Sequence, residues 1–308
     1  MEEFRSYLPD AVIHANLSET AQRMMKLSEQ EHAHIAELAA EMLAEGRQPS
    51  DLLASLPDRR LPEPEPSAGI LGENLATVLQ MQKLHALWQR LLLASELRSG
   101  LEFGKHDIPE FFFSETETPD DSAKGRVIYQ RSNYADLAFR HFFGGQDSVH
   151  ALYTHSFSVV CEEVMRGNCE YCILPLETSS DRMIDRYSLK IVASCDIPIE
   201  DGKKMIRFAL LRRSLVPLFQ PIDGNTLFEC VIPLTDSLSV ADLLLAAECC
   251  GLKLCRIDSG FYLIDESSVH AIHTVFSIGQ GDLCSYLVYL AMQTPDFEMI
   301  GLYSQHPL

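Results

Sequence analysis

The sequence predicts a multidomain chain. An α-helical region covers residues 1–104, a linker 105–123, a central α/β domain 124–222, and a C-terminal α+β domain of ferredoxin-like type 223–308. Three observations predict this division. The first hundred residues carry apolar positions at helical spacing. Short apolar runs then alternate with helical stretches joined by short loops, the pattern of a largely parallel sheet covered by helices. From residue 227 the order is strand, helix, two strands, helix, strand, which closes an antiparallel sheet with helices on one face.

In the helical region, residues 17–27 form a first apolar-periodic stretch. Ser28-Glu29-Gln30-Glu31 is a capping-box pattern, with Ser28 as N-cap and Glu31 reaching back. The helix it opens aligns Ile35, Leu38, Ala39, Met42 and Leu43, and Gly46 suits its C-terminal turn. His32 and His34 lie two apart, so they do not share a helix face, and they read as surface residues and not as metal ligands. Residues 57–69 hold Pro57, Pro62, Pro64 and Pro66 among acidic residues, a stiff extended connector. A long helix over 73–99 follows, with Gly100 as its stop. The 105–123 linker contains Phe111-Phe112-Phe113, which must dock somewhere.

In the central domain, residues 125–130 read as a strand and 134–143 as a helix stopped by Gly144-Gly145. A strand over 149–154, a helix over 157–165 and a strand over 171–174 complete the alternation. Ligands of such sheets sit beyond the carboxyl ends of the strands. The loops there are 130–133 and 175–180, giving Ser132, Asn133, Glu177, Thr178 and Ser179 as candidates. Residues 189–199 then read as a long strand. Glu200-Asp201-Gly202-Lys203 is a hairpin turn, and 204–211 returns directly.

This order resembles the first lobe of the prephenate dehydratase family. The matching signals are a strand ending in Gln130, a helix closing on Phe142-Phe143-Gly144, a Ser156-Phe157 helix and a strand closing on Leu174-Pro175-Leu176-Glu177-Thr178-Ser179. Residues 227–308 resemble the ACT regulatory domain that follows in that family, with Met299-Ile300-Gly301-Leu302-Tyr303 similar to its closing strand. The resemblance implies one lobe of a two-lobed, periplasmic-binding-protein-like domain. It also implies a role in L-phenylalanine biosynthesis, a small-molecule ligand such as an amino acid or other carboxylate metabolite, and a homodimer or larger assembly paired through the ACT-like domain. Where the family has Thr-Arg-Phe with a catalytic threonine, this chain has Ile206-Arg207-Phe208. Isoleucine donates no proton. Arg207 remains, with a carboxylate partner and a structural salt bridge as its two readings. The hairpin at 200–203 stands where the family has its second lobe, so no closed cleft excludes water. In the C-terminal domain, Ser239-Val240-Ala241 replaces a Gly-Ala-Leu ligand loop, and Asp258-Ser259 keeps part of a second one, making Ser239, Asp258 and Ser259 ligand candidates.

The expectation is a catalytically degenerate dehydratase relative that binds or senses an amino acid through its ACT-like domain. The alternatives are an active dehydratase, a carbon–oxygen lyase using Glu177, Ser179 and Arg207, and an assembly protein. A mutase activity in the helical region needs Arg and Lys converging on a dicarboxylate. Its helices offer Arg23, Lys26, Arg47, Lys83, Arg90 and Arg98, which are sparse and do not match that pattern.

A net charge of −19 opposes nucleic acid and anionic membranes as partners. No apolar run is long enough to span a bilayer, and Met1-Glu2-Glu3-Phe4-Arg5 does not read as a signal peptide. Nine cysteines, an odd number set mostly in apolar segments, fit buried thiols of a cytoplasmic protein. Cys169 and Cys172 form a C-x-x-C whose members, three apart on a strand, are expected on opposite faces and not at a metal. No cofactor is expected.

Overall fold

The computed structural model describes residues 26, 29–46, 75–108, 123–176, 184, 186–199, 204–215, 226–235, 239–264, 267–294 and 296–306. The stretch at 17–27 apart from Lys26, Ser28, the connector at 57–69, Phe111 to Phe113 and the turn at 200–203 lie outside them, as do Glu177, Thr178 and Ser179. The chain divides into two compact units, residues 1–103 and 104–308.

The first unit contains helix α1 over 29–44 and helix α2 (Leu75–Gly100). Ile35, Leu38, Ala39 and Met42 of α1 and Leu87, Leu93, Ala94 and Leu97 of α2 are buried. Gly46 turns the chain out of α1 at φ +67°. The exit from α2 comes two residues later than the glycine stop, at Glu102 with φ +61°. Polar contacts between the two helices include carboxylates with histidine or amide. Gln89 Nε2 donates to Glu31 Oε1 at 2.6 Å, and His32 and Glu96 meet at 2.9 Å.

The second unit is built on one nine-stranded sheet. Its elements run β1 (Arg126–Gln130), α3 (Asn133–Phe143), β2 (His150–Thr154), α4 (Phe157–Met165), β3 (Tyr171–Pro175), β4 (Lys190–Ile199) and β5 (Lys204–Arg212). They continue with β6 (Thr226–Pro233), α5 (Val240–Cys249), β7 (Lys253–Ile264), β8 (Ser267–Ser277), α6 (Leu283–Gln293) and β9 (Glu298–His306). The strand order is β2-β1-β3-β5-β4-β9-β6-β8-β7. β1 pairs in parallel with β2 and β3. β4 and β5 pair antiparallel, with Ile199 opposite Lys204, so four residues join them where the resemblance expects a lobe.

The last four strands in that order, β9-β6-β8-β7, are mutually antiparallel, the arrangement expected from βαββαβ. The two halves of the unit are not separate sheets. β4 and β9 pair in parallel through Ile191–Gly301, Ser194–Gln305 and Cys195–His306.

Alternation along the strands gives the sheet two buried faces. On the first face Val160, Cys161 and Val164 of α4 pack on Ile128, Cys172, Leu174, Ile191, Ala209 and Leu211, and the layer continues through Leu227, Val231, Ala271, Val275 and Tyr303. On the second face Ala135, Ala138, Phe142 and Phe143 of α3 pack on Val127, Tyr129, Ile173, Val192, Phe208 and Leu210. α6 covers the β6–β9 end of this face, its Tyr286 ring meeting Phe276 edge-on at 5.5 Å. α6 is apolar all round and buried throughout, as its composition requires.

Two expectations are corrected. The break expected at Asp258-Ser259-Gly260 is absent, and β7 runs unbroken for 12 residues. Gly260 is tolerated because β7 is the outermost strand and the nearest atom to an added Cβ would be Tyr262 Cε2 at 3.7 Å. Cys169 and Cys172 do not diverge to opposite faces. Both are buried in the first-face layer, because Cys169 precedes the strand and lies outside its alternation. Of the nine cysteines none is in a disulfide, and Cys249 and Cys255 are exposed, not buried. Among the described residues no helix is long and apolar enough to cross a membrane, and no cluster of metal-ligating side chains is found.

The β4–β9 seam needs a residue without a side chain. A Cβ at Gly301 would stand 2.9 Å from Ile191 Cβ and 2.9 Å from Tyr303 Cδ1. Gly301→Val is expected to lower unfolding free energy by about 1–3 kcal/mol, the usual cost of overpacking, read from urea denaturation midpoints.

Candidate functional site

Strand directions bring three separated stretches to one edge of the sheet. β1 and β3 are parallel neighbours, so the loops after Gln130 and Pro175 leave at the same end. β5 runs the other way, with Phe208 opposite Pro175, so its opening residues stand at that end too. The Leu176 N–H donates to the Arg207 carbonyl at 2.7 Å. Arg207 is thereby fixed beside the residue that leads into Glu177, Thr178 and Ser179. The carboxyl ends of β1 and β3 and the arginine singled out in the sequence therefore share an edge.

Local chemistry explains each position. Ser132 is the N-cap of α3, with extended backbone, and its Oγ accepts the Ala135 N–H at 3.0 Å. Its hydroxyl is thus committed to the helix, while Asn133 begins the helix exposed. Asp136 sits in the first turn, where a carboxylate suits the helix dipole. Its Oδ1 accepts from the Tyr129 hydroxyl at 2.9 Å, and its Oδ2 lies 3.9 Å from Arg131 Nε. The charge of Asp136 is therefore answered locally. Burial, with the Tyr153 and Asp136 neighbours, pushes the Tyr129 phenol far above its ordinary range. The Arg131 guanidinium stacks over the Tyr153 ring at 4.9 Å. Gln130 Nε2 donates to the His155 carbonyl at 3.4 Å and ties the loops after β1 and β2 together.

Ile206 and Arg207 point to opposite faces, as adjacent strand residues must. Ile206 packs on the apolar second face, opposite Ile197. Arg207 points to the first face, and its Nε donates to Asp196 Oδ1 at 2.9 Å on the cross-strand partner. Burial works against the guanidinium charge. The Asp196 bond and the fields of Asp196, Tyr303 and Glu229 outweigh it and raise its pKa. The structural reading of Arg207 is present in the Asp196 bridge, and 37% of its side chain faces solvent.

The remaining candidates are elsewhere. Ser239 caps α5, its Oγ accepting from Ala241 N–H at 3.2 Å. It follows β6, which runs opposite to β9 and hence to β4, so it lies at the other edge of the sheet. Asp258 and Ser259, expected in a loop, are mid-strand in β7, opposite His273 and Ile272. Asp258 is bound by Arg256 Nε at 2.9 Å.

A polar group on the first face was not foreseen. Glu229 of β6 is 3% exposed, amid an eight-residue strand that is buried throughout. Its Oε2 accepts from the Tyr303 hydroxyl at 2.6 Å, and its Oε1 lies 2.7 Å from His273 Nε2 and 3.8 Å from Arg256 Nη2. Burial alone would raise this carboxyl. The His273, Tyr303 and Arg256 contacts overcome that and hold it below its ordinary range. Its signal was visible in the sequence: a carboxylate inside an apolar strand must be paired.

No family model matches the chain, and no curated protein does. Among solved structures it is similar to a prephenate dehydratase from Streptococcus mutans, at 16% identity over 59% of this chain and 98% of that one, with a TM-score of 0.47. It is also similar to a protein described as GqqA, a novel type of quorum quenching acylase, at 18% identity over 59% and 95%, TM-score 0.46. A third is a prephenate dehydratase in complex with L-Phe from Arthrobacter aurescens, at 12% identity over 58% and 89%, TM-score 0.47.

Glu229 makes stability depend on pH with a definite sign. Its folded pKa is depressed, so its contribution is present above the ordinary glutamate range, near pH 4.3, and is lost as pH falls through the folded value. Glu229→Gln is expected to cost about 3–5 kcal/mol at neutral pH, the cost of breaking a buried pair. It should also flatten the acid limb of stability measured by urea titration between pH 3 and 7.

Proposed function

We propose that this chain is a non-catalytic relative of the prephenate dehydratases that binds a small carboxylate, an amino acid included, at the carboxyl edge of β1, β3 and β4. One observation carries the reading. Arg207 stands with its guanidinium part-exposed beside the loop leading to Glu177, while Ile206, at the threonine position of the resemblance, is turned into the apolar face. The edge thus offers a fixed cation for a carboxylate and, at position 206, no acid to help a hydroxide leave. The four-residue β4–β5 connection supports the same reading, since a water-excluding closure needs a facing body. Calorimetric titration of the full chain against the twenty amino acids, prephenate and chorismate is expected to give saturable binding to one of them. Arg207→Ala should weaken it about 10- to 100-fold, the loss of one charge-assisted hydrogen bond. Asp258→Ala should leave it intact if the ligand sits at this edge and not in the C-terminal half. Silence across the panel sinks the binding, and formation of phenylpyruvate sinks the non-catalytic half.

A second reading is assembly, favoured by β7. This strand is the outermost of the sheet, and its Phe261 is 78% exposed, with Leu254 and Ile257 also open to solvent. Such an edge is a ready template for a second copy of the chain. Light scattering should give a dimer mass for the full chain and a monomer mass for Phe261→Lys. A monomer in both removes this reading.

A further inference from the structure

The Asp196–Arg207 bridge belongs to a small block of first-face residues on β3, β5 and β4. The inner row of the block is Leu174, Ala209 and Ser194, paired from strand to strand. The next row toward the carboxyl edge is Leu176, Arg207 and Asp196. Beyond it Met205 and Pro198 face each other, and both are exposed. A molecule that approaches from the edge therefore meets the bridge first, with Ala209 and Ser194 directly behind it.

Ser194 is out of place in an apolar layer. It is fully buried, and its Oγ has no hydrogen-bond partner among the described residues. A hydroxyl costs stability when it is buried without a partner. Ser194 and Arg207 are diagonal neighbours on one face of an antiparallel pair, a separation that a long side chain spans. The unmet hydroxyl thus stands beside a guanidinium and a carboxylate that are 2.9 Å apart and part-exposed.

The bridge decides what can bind. A ligand with a carboxylate alone draws on Arg207 but sets a second negative charge beside Asp196, and like charges at that range repel. A ligand with an ammonium alone meets the converse at Arg207. A molecule that carries both charges close together replaces one ion pair by two and opposes neither side chain. We propose that the ligand of this edge is a zwitterion, a free α-amino acid, with Asp196 and Ser194 as the residues that set this specificity. Its carboxylate lies on Arg207 and accepts a hydrogen bond from Ser194 Oγ, and its ammonium lies on Asp196. The Asp196 and Arg207 side chains part to admit the two charges, and that movement uncovers Ser194 behind them. This inference rests on the reading of Arg207 as a carboxylate site given above. It narrows that reading, because prephenate and chorismate carry no ammonium.

The test is calorimetric titration of the full chain with the twenty amino acids, prephenate and chorismate. It is repeated with the 2-oxo acid and the decarboxylated amine of whichever amino acid binds. Removing either charge from the ligand is expected to weaken binding about 10- to 100-fold, the worth of one charge-assisted hydrogen bond. In Asp196→Asn the amino acid should lose most of its advantage over the oxo acid. Ser194→Ala should weaken the amino acid about 10-fold. Its urea midpoint should be unchanged or raised, since the substitution removes a hydroxyl that nothing satisfies in the unliganded chain. A serine with only a structural role gives the opposite pair of results, a lower midpoint with unaltered binding, and that outcome overturns the role of Ser194. The amino acid and its oxo acid are compared on the unmutated chain, so a variant that fails to fold does not decide the matter. An oxo acid, prephenate or chorismate that binds as tightly as any amino acid overturns the inference and leaves the Arg207 reading standing. Silence toward every compound removes both.

Discussion

The parallel ladder between β4 and β9 is the constraint on which the second unit depends. β4 is bonded to β5 on one side and to β9 on the other, so the final strand of the chain completes the middle of its sheet. Without β9, β4 and β6 would each present an open row of backbone donors and acceptors to water. Gly301 permits the close approach at this seam, and Ile191 and Tyr303 fill the space it leaves. Two halves that look like independent domains in the sequence therefore share one hydrogen-bonded sheet and one first-face apolar layer.

A sheet of this width must also satisfy the charges on its inner strands. The first face carries Asp196 with Arg207, Tyr303 with Glu229 and His273, and Arg256 with Asp258, on six adjacent strands. The central carboxylate is the most deeply buried and meets Tyr303, His273 and Arg256, while the outer pairs are part-exposed. That gradient is what desolvation demands, since the cost of an unanswered charge rises with depth. The row crosses the β4–β9 seam, so a charge in one half is felt in the other: Glu229 and Tyr303 both act on Arg207.

Much of this was legible beforehand. Strand and helix placements from residue 125 onward follow from apolar alternation and glycine stops, and the βαββαβ order predicts an antiparallel sheet, as found in β9-β6-β8-β7. The carboxyl-edge location of Ser132 and Asn133 came from the parallel alternation alone, whereas Arg207 is singled out by the resemblance. What the sequence could not disclose is long-range. Nothing near Ile191 announces that Gly301 is its neighbour. Asp258-Ser259 is expected in a loop because the resemblance implies one there. An outermost strand holds these residues instead, since Arg256 pairs the aspartate and an added Cβ at Gly260 would meet nothing nearer than Tyr262 Cε2 at 3.7 Å.

The width of the sheet has a geometric outcome. Neighbouring strands in ordinary sheets are rotated by about 20–25°. Eight successive steps separate β2 from β7, which carries the two margins to nearly half a revolution of one another, about 160–200°. At that average rotation the same surface would look one way at the Leu152 margin and almost the reverse way at the Phe261 margin. No flat partner can lie along its whole width. Two companions attached at the two rims would be held on opposite sides of a propeller-shaped blade.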